Sequence, residues 1–275
     1  MHPRGVVMKI SAAVAVGFIA LIGAGPVIAA DLPVKAPVTA LAYNWTGIYA
    51  GVSAGVRWSD TTWTTDCALG YPSCGGAAAL STHNPVGFDS TSARVGGYLG
   101  YNWQFAPSWL IGLEGDIAWG DSSKTETGIP GTIAAAAALA ATSDTATVKE
   151  KWDGSLRARI GFLANPSWLI YATGGVAWQS VDLSASCTYL AAASLCGVGA
   201  SRSETYSTTK AGWTIGGGVE AAFWGNWLGR LEYRYADYGN IDHTFFVGTT
   251  SALSMSESLR THTVLVGLAY KFGQP

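Results

Sequence analysis

Trp152-Asp153-Gly154-Ser155-Leu156-Arg157-Ala158-Arg159-Ile160-Gly161-Phe162 places its charges on one residue parity and its bulky apolar groups on the other. Successive side chains of a β-strand point to opposite faces of the sheet. Trp152, Leu156, Ala158, Ile160 and Phe162 therefore form one face, and Asp153, Ser155, Arg157 and Arg159 form the other. The apolar face carries an aromatic ring at each end, which suits a lipid slab with two interfaces, and the charged face then turns to a lumen. A soluble β-sandwich also alternates, but it turns its polar face outward. The inversion predicts a transmembrane strand.

Seven further segments repeat the pattern. Outward faces are expected at Ile48, Val52, Val56 and Trp58; at Val95, Leu99, Tyr101 and Trp103; and at Trp109, Ile111, Leu113, Ile117 and Trp119. Trp168, Ile170, Val176 and Trp178 follow, then Trp213, Ile215, Val219 and Phe223. Trp227, Leu231, Tyr233 and Tyr235, and finally Val264, Val266, Leu268, Tyr270 and Phe272, complete the set. The opposite parity holds Arg57, Arg94, Glu114, Asp116, Glu220, Arg230, Glu232, Arg234 and Lys271. Together these segments predict an all-β fold, a closed barrel of eight antiparallel transmembrane strands.

Trp109 and Trp119, Trp152 and Phe162, Trp168 and Trp178, and Trp213 and Phe223 each lie ten residues apart on the apolar parity. Ten residues rising about 3.4 Å each and tilted by roughly 45° span about 24 Å, the height of the apolar band of such a barrel. With Trp58, Trp103, Trp227, Tyr270 and Phe272 they are expected to form two aromatic girdles. The Pro-Ser-Trp-Leu-Ile motif at Pro107 recurs at Pro166, and Asn226-Trp227-Leu228 echoes it. Trp109, Trp168 and Trp227 are each 59 residues from the next, so one hairpin-plus-loop unit repeats. Tight turns near Pro107, Pro166 and Asn226 alternate with long connections, about residues 59–91, 121–149, 181–209 and 239–259. Short turns on the periplasmic side and long loops outside would place both termini in the periplasm.

Composition agrees. Charged residues are only 12% of the 275, while Gly (35), Trp (12) and Tyr (12) are abundant. Soluble domains carry about a quarter charged residues. The basic and apolar opening, Arg4 and Lys9 followed by Ile10 to Ile28 and small Ala29 and Ala30, reads as a cleaved leader over 1–30. No second apolar run is long enough for a membrane helix. Residues 31–44 then read as a periplasmic linker and 45–275 as one barrel domain. The net charge of −2 offers no surface for nucleic acid.

Four stretches carry a family resemblance: Ala30-Asp31-Leu32-Pro33-Val34-Lys35-Ala36-Pro37, Tyr43-Asn44-Trp45-Thr46-Gly47-Ile48-Tyr49-Ala50-Gly51, Arg230-Leu231-Glu232-Tyr233-Arg234-Tyr235, and Val266-Gly267-Leu268-Ala269-Tyr270-Lys271-Phe272. The chain resembles the small opacity-type outer-membrane barrels of alphaproteobacteria, described as outer-membrane immunogenic or porin-family proteins. That resemblance implies residence in the outer membrane and brings no catalytic residues. The last stretch resembles the C-terminal signal read by the barrel-assembly machinery, although Gly273-Gln274-Pro275 follow the final Phe.

The twelve lumen charges, Arg57, Arg94, Glu114, Asp116, Asp153, Arg157, Arg159, Glu220, Arg230, Glu232, Arg234 and Lys271, have two readings. An eight-stranded barrel is only just wide enough for its own side chains, so a paired plug is favoured over a narrow pore for ions or small solutes. Cys67 and Cys74, and Cys187 and Cys196, are expected to close two local loop disulfides. No metal site is expected, because no His stands at ligand spacing, and no cofactor. The sole nucleophile–base pairing on offer, His262 with nearby Ser258 and with His243 in the adjoining loop, has no evident acidic orienter. The expectation is a non-enzymatic, surface-exposed barrel that supports the envelope. Its partners would be membrane lipids, lipopolysaccharide and, through the apolar stretches Ala134 to Ala141 and Tyr189 to Ala200, an unknown loop ligand.

Overall fold

The computed structural model describes residues 43–66, 84–131, 144–188, 201–249 and 252–273. The expected leader, nearly all of the linker, both alanine-rich stretches, and Cys67, Cys74 and Cys196 lie outside them. The strands run β1 (Gly47–Asp66), β2 (Val86–Gly87), β3 (Ser90–Ala106), β4 (Trp109–Thr127), β5 (Thr145–Asn165), β6 (Trp168–Thr188), β7 (Ser201–Trp224), β8 (Trp227–Phe245) and β9 (Leu253–Lys271). β2 is a two-residue addition to β1, leaving eight long strands. Neighbours pair antiparallel in chain order, and β1 returns to β9 from Tyr49↔Lys271 to Asp66↔Ser254, which closes the ring. Closure leaves no unpaired edge at lipid depth. Two-residue turns join β3 to β4, β5 to β6 and β7 to β8 at Pro107-Ser108, Pro166-Ser167 and Gly225-Asn226.

Between the girdle rows the two faces lie as the parity demands. Ile48, Val95, Leu99, Leu113, Leu156, Ile170, Ile215, Leu231 and Val266 are exposed on the outer wall. Aromatic rings pair across strands at its borders: Trp109 with Phe162 (5.3 Å), Trp227 with Tyr270 (5.4 Å) and Trp213 with Tyr235 (5.3 Å). Leu113 sits near the middle of this band. Leu113→Arg is expected to cost about 2–4 kcal/mol of folding stability in bilayers, the price of a cation at the membrane midplane. A urea titration in lipid vesicles checks it; a loss below about 1 kcal/mol would mean that the position is not in lipid.

The long connections are shorter than expected. β1, β4, β5, β6, β7, β8 and β9 continue well past the girdle row of Trp58, Trp119, Trp152, Trp178, Trp213, Tyr235 and His262 into segments read as loops. There the polarity of the faces exchanges; the parity holds on β1, β6, β7 and β9 and shifts by one at a bulge on β5 (Glu150 to Asp153) and on β8 (Asp237 to Asn240). On β9, Leu253, Met255, Glu257 and Leu259 point inward and are buried, and Ser254, Ser256 and Ser258 point outward. On β6, Val181, Leu183, Ala185 and Cys187 are inside and Ser180, Asp182, Ser184 and Ser186 outside. The physical reason is the change of solvent: once lipid ends, the outer face must be polar and the inner face can pack.

The ring also parts in this region. β7 pairs with β8 only from Trp213↔Asp237 down to Trp224↔Trp227, and β3 with β4 only from Val95↔Trp119 down. Beyond those rungs, β4–β5–β6–β7 form one leaf and β8–β9–β1 with β2 form another. Trp63, Phe88, Ile241, Phe245, Met255 and Leu259 from one leaf meet Ala146, Val148, Val181, Leu183 and Ala185 from the other in one buried cluster. The loop end is thus a two-leaved sandwich continuous with the barrel wall.

Candidate functional site

The lumen is built from inward positions of every long strand and has three tiers. At the turn end, Trp45, Leu110, Leu163, Leu169, Leu228 and Ala269 pack as an apolar floor. Trp45 is fully buried and donates its indole N–H to the Pro166 carbonyl at 3.1 Å, tying the segment before β1 to the β5–β6 turn. Lys271 sits at this floor, 5.3 Å from the Tyr43 ring centre.

Above it lies the ionic tier. Glu114 accepts hydrogen bonds from Arg157 Nη2 (2.6 Å), both Arg230 terminal nitrogens (2.9 and 2.7 Å) and the Tyr49 hydroxyl (2.7 Å). Glu220 holds Arg159 at 2.9 Å and Arg230 at 3.2 Å. Glu232 binds Arg157 (2.8 Å), Arg234 (2.9 Å) and the Tyr171 hydroxyl (2.7 Å). Asp116 takes Arg94 at 2.6 Å, Arg234 at 3.0 Å and the Ser155 hydroxyl. Asp153 joins Arg94 (2.6 Å) to Arg57 (3.1 Å), and Arg57 reaches Glu150 at 3.1 Å.

Six guanidinium groups and six carboxylates thus form one connected network. Buried charges are tolerable when each is paired and hydrogen-bonded. Arg159 lies 4.1 Å from the Tyr171 ring centre and Arg230 4.2 Å from that of Tyr98, adding cation–π contacts. Room for these tyrosines comes from glycine. Tyr98 stands opposite Gly51 and Tyr49 opposite Gly100 across the β1–β3 ladder, and a Cβ at either glycine would collide with the ring.

The third tier is the apolar core of the loop-end sandwich. Two inward carboxylates here are new: Glu257 falls in a segment expected to be a loop, and Glu150 stands between an expected loop and the strand expected from Trp152. Glu150 has Ser59 (2.7 Å) and Arg57 as partners, and burial raises its carboxyl above the usual range. Glu257 is completely buried, and neither carboxylate oxygen has a hydrogen-bond partner. Burial, reinforced by the charge of Glu150, pushes its carboxyl up to about 8. The unbroken inward parity Leu253, Met255, Glu257, Leu259, Thr261, Thr263 was the available signal.

All twelve charges singled out from sequence point into the lumen. Of the girdle residues, Trp58, Trp103, Trp109, Trp119, Phe162, Trp168, Trp178, Trp213, Phe223, Trp227, Tyr270 and Phe272 are exposed on the outer wall, and Trp152 is half-buried there. Cys187 is not in a loop; it is the last residue but one of β6, faces inward and is disulfide-bonded. His243 is likewise not in a loop: it is on β8, stacked on Tyr206 at 4.0 Å and 3.0 Å from a Glu204 oxygen. His262 does have an acidic neighbour, Asp60, at 3.5 Å, with the Tyr233 hydroxyl 2.7 Å from its other nitrogen. Asp60 stands opposite Arg260 across the β1–β9 ladder, a pairing invisible without the register. Among the described residues, no group of three or more His, Cys, Asp or Glu is placed to hold a metal.

The chain matches the family of the outer membrane protein beta-barrel domain over residues 18–272. It is 31% identical over 260 residues to the 31 kDa outer-membrane immunogenic protein of Brucella melitensis, covering 87% of this chain and 88% of that one. With the 25 kDa outer-membrane immunogenic protein of Brucella abortus it shares 30% over 241 residues, 87% of this chain and 85% of the other. The outer membrane protein OprG of Pseudomonas aeruginosa is a structural match at 11% identity and a TM-score of 0.46, over 84% of this chain and 98% of that chain. By sequence family and by its closed antiparallel ring, the chain belongs to the outer-membrane protein β-barrel family and resides in the outer membrane.

Proposed function

We propose that this protein is a non-conducting structural barrel that anchors a folded sandwich at the cell surface and so supports the envelope. The filling of the lumen carries this reading: an apolar floor, an ionic tier in which each guanidinium and carboxylate meets a counter-charge, and an apolar cap leave each level occupied by side chains. The short turns would face the periplasm, with both termini, and the sandwich would face outward. The wall would contact membrane lipids and lipopolysaccharide, the C-terminal strand would be read by the barrel-assembly machinery during insertion, and the loops would meet any external ligand. Two disulfides, Cys67–Cys74 and Cys187–Cys196, would hold the loops in the oxidising exterior.

Conductance of the purified protein in planar bilayers tests the central element. The expected record shows no steady steps at physiological salt. Reproducible open channels of uniform size would overturn the plug and favour the narrow porin.

A further inference from the structure

Glu257 is the lumen carboxylate with no place in the ionic network. Its ladder neighbours are Trp63 on β1 and Ile241 on β8, and the layer around it is the apolar core that joins the two leaves. A buried polar group without partners is rare in folded proteins and calls for a reason. The charged and titratable groups on the inner faces of this layer come from β1, β4, β5, β7 and β8. β1 brings Arg57, already engaged by Glu150, Asp153, Gln179 and the Gly120 carbonyl. β5 brings Glu150, which repels a second negative charge. β8 brings Tyr238 and His243, β7 brings Arg202, Glu204, Tyr206 and Lys210, and β4 brings Lys124 and Glu126, which pair with each other at 3.0 Å. His243 and Tyr206 stack on each other, and Glu204 is held by His243 and by the Phe246 N–H at 2.7 Å. None of these groups is a hydrogen-bond partner of Glu257.

The leaves have somewhere to go. Beyond the Trp213↔Asp237 rung, the described residues give no backbone pairing between β7 and β8; Glu204, His243, Tyr206 and the Phe246 amide span the seam. The β3–β4 seam opens at the corresponding height, bridged by Ser90 and Ser122 hydroxyls at 3.3 Å.

We propose that Glu257 is a proton-operated latch of the loop-end sandwich, holding the two leaves together when its carboxyl is neutral and parting them along these seams when it ionises. The device is a conformational one, and its ligand is the proton. Only its placement at the cell exterior rests on the orientation proposed above; closure measured on the purified protein does not depend on it.

The sign follows from linkage. Burial and Glu150 raise the carboxyl to about 8 in the closed form, whereas an opened, hydrated Glu titrates near its ordinary value of about 4.3. The closed form therefore holds a proton that the open form releases between those two values. Opening rises with pH across that window, by up to about tenfold per pH unit, and levels off above the closed-form value.

Thiol labelling of single cysteines placed at buried positions 255 and 183, in the full chain with its native cysteines replaced and reconstituted in lipid vesicles, reads this directly at pH 6.5 and 9.0 once each rate is corrected for thiolate content. Labelling at both positions is expected to quicken by more than about tenfold at the higher pH, while a cysteine at buried position 269, on the barrel floor, stays protected. Glu257→Gln and Glu257→Met should abolish that pH dependence. Unchanged protection of the wild-type sandwich between pH 6.5 and 9.0, or the same pH-driven loss in a folded variant, overturns the latch. If neither variant assembles, the wild-type midpoint decides: near 8 supports it, and no transition sinks it. Channel recordings on the same protein test the plug separately, so a failure of either idea is recognisable.

Discussion

Replacing Glu114 with Ala lowers the stability of the folded barrel by about 3–5 kcal/mol, because it leaves buried guanidinium groups without their counter-charge. Glu114 is 2% exposed and is shared by Arg157, Arg230 and Arg159. Its removal also strips the Tyr49 hydroxyl of its acceptor. The neighbouring acids cannot compensate, since Glu220 and Glu232 already hold Arg159, Arg230, Arg157 and Arg234. Glu114→Gln keeps part of the hydrogen bonding and should cost less than Ala. Equilibrium unfolding by urea in vesicles measures both. A loss below about 1 kcal/mol for Glu114→Ala would be the behaviour of an ion pair screened by solvent, and would mean that water fills the lumen.

The second large effect is at the other end. Trp63→Ala should cost about 3–5 kcal/mol, the range for truncating a large buried aromatic, and the cost should fall on the sandwich alone. Trp63 is fully buried between Phe88 (5.6 Å between ring centres) and Phe245 (5.8 Å, stacked). All three rings belong to the apolar cluster of the sandwich. The variant is therefore expected to keep the compact, heat-sensitive gel mobility of a folded barrel while its loop end becomes open to protease. Loss of the compact form together with the sandwich would show that the two layers fold as one unit. Wild-type protease resistance would show that Trp63 packs loosely.

How much of this was legible follows from where each segment sits. Trp152 to Phe162 declared itself because its solvent is lipid, and lipid demands an apolar outer face that no soluble strand presents. The lumen charges followed from parity alone, since each stands on the residue parity opposite the apolar wall of its strand. Ser254 to Leu259 did not declare itself. Its serines face outward and its Leu and Met inward, which is the ordinary pattern of a water-exposed sheet, so a reading tuned to lipid-facing alternation stopped at the girdle. The same misreading hid Glu150 and Glu257 and put Cys187 and His243 in loops. The seams were beyond reach for another reason. Where β7 and β8 cease to pair depends on tertiary geometry, and nothing in the strand from Ser201 to Trp224 marks Trp213 as the last rung.

On β9 one strand parity serves two solvents within 19 residues. Single spin labels placed from residue 254 to 268, in a background whose native cysteines are replaced, measure it directly through their accessibility to oxygen and to a water-soluble nickel complex. Labels at 264, 266 and 268 should favour oxygen, those at 254, 256 and 258 the nickel complex, and those at 255, 259, 263 and 265 neither. A single unbroken profile along the even positions, or nickel access at 263 and 265, would contradict the filled barrel with its sandwich above.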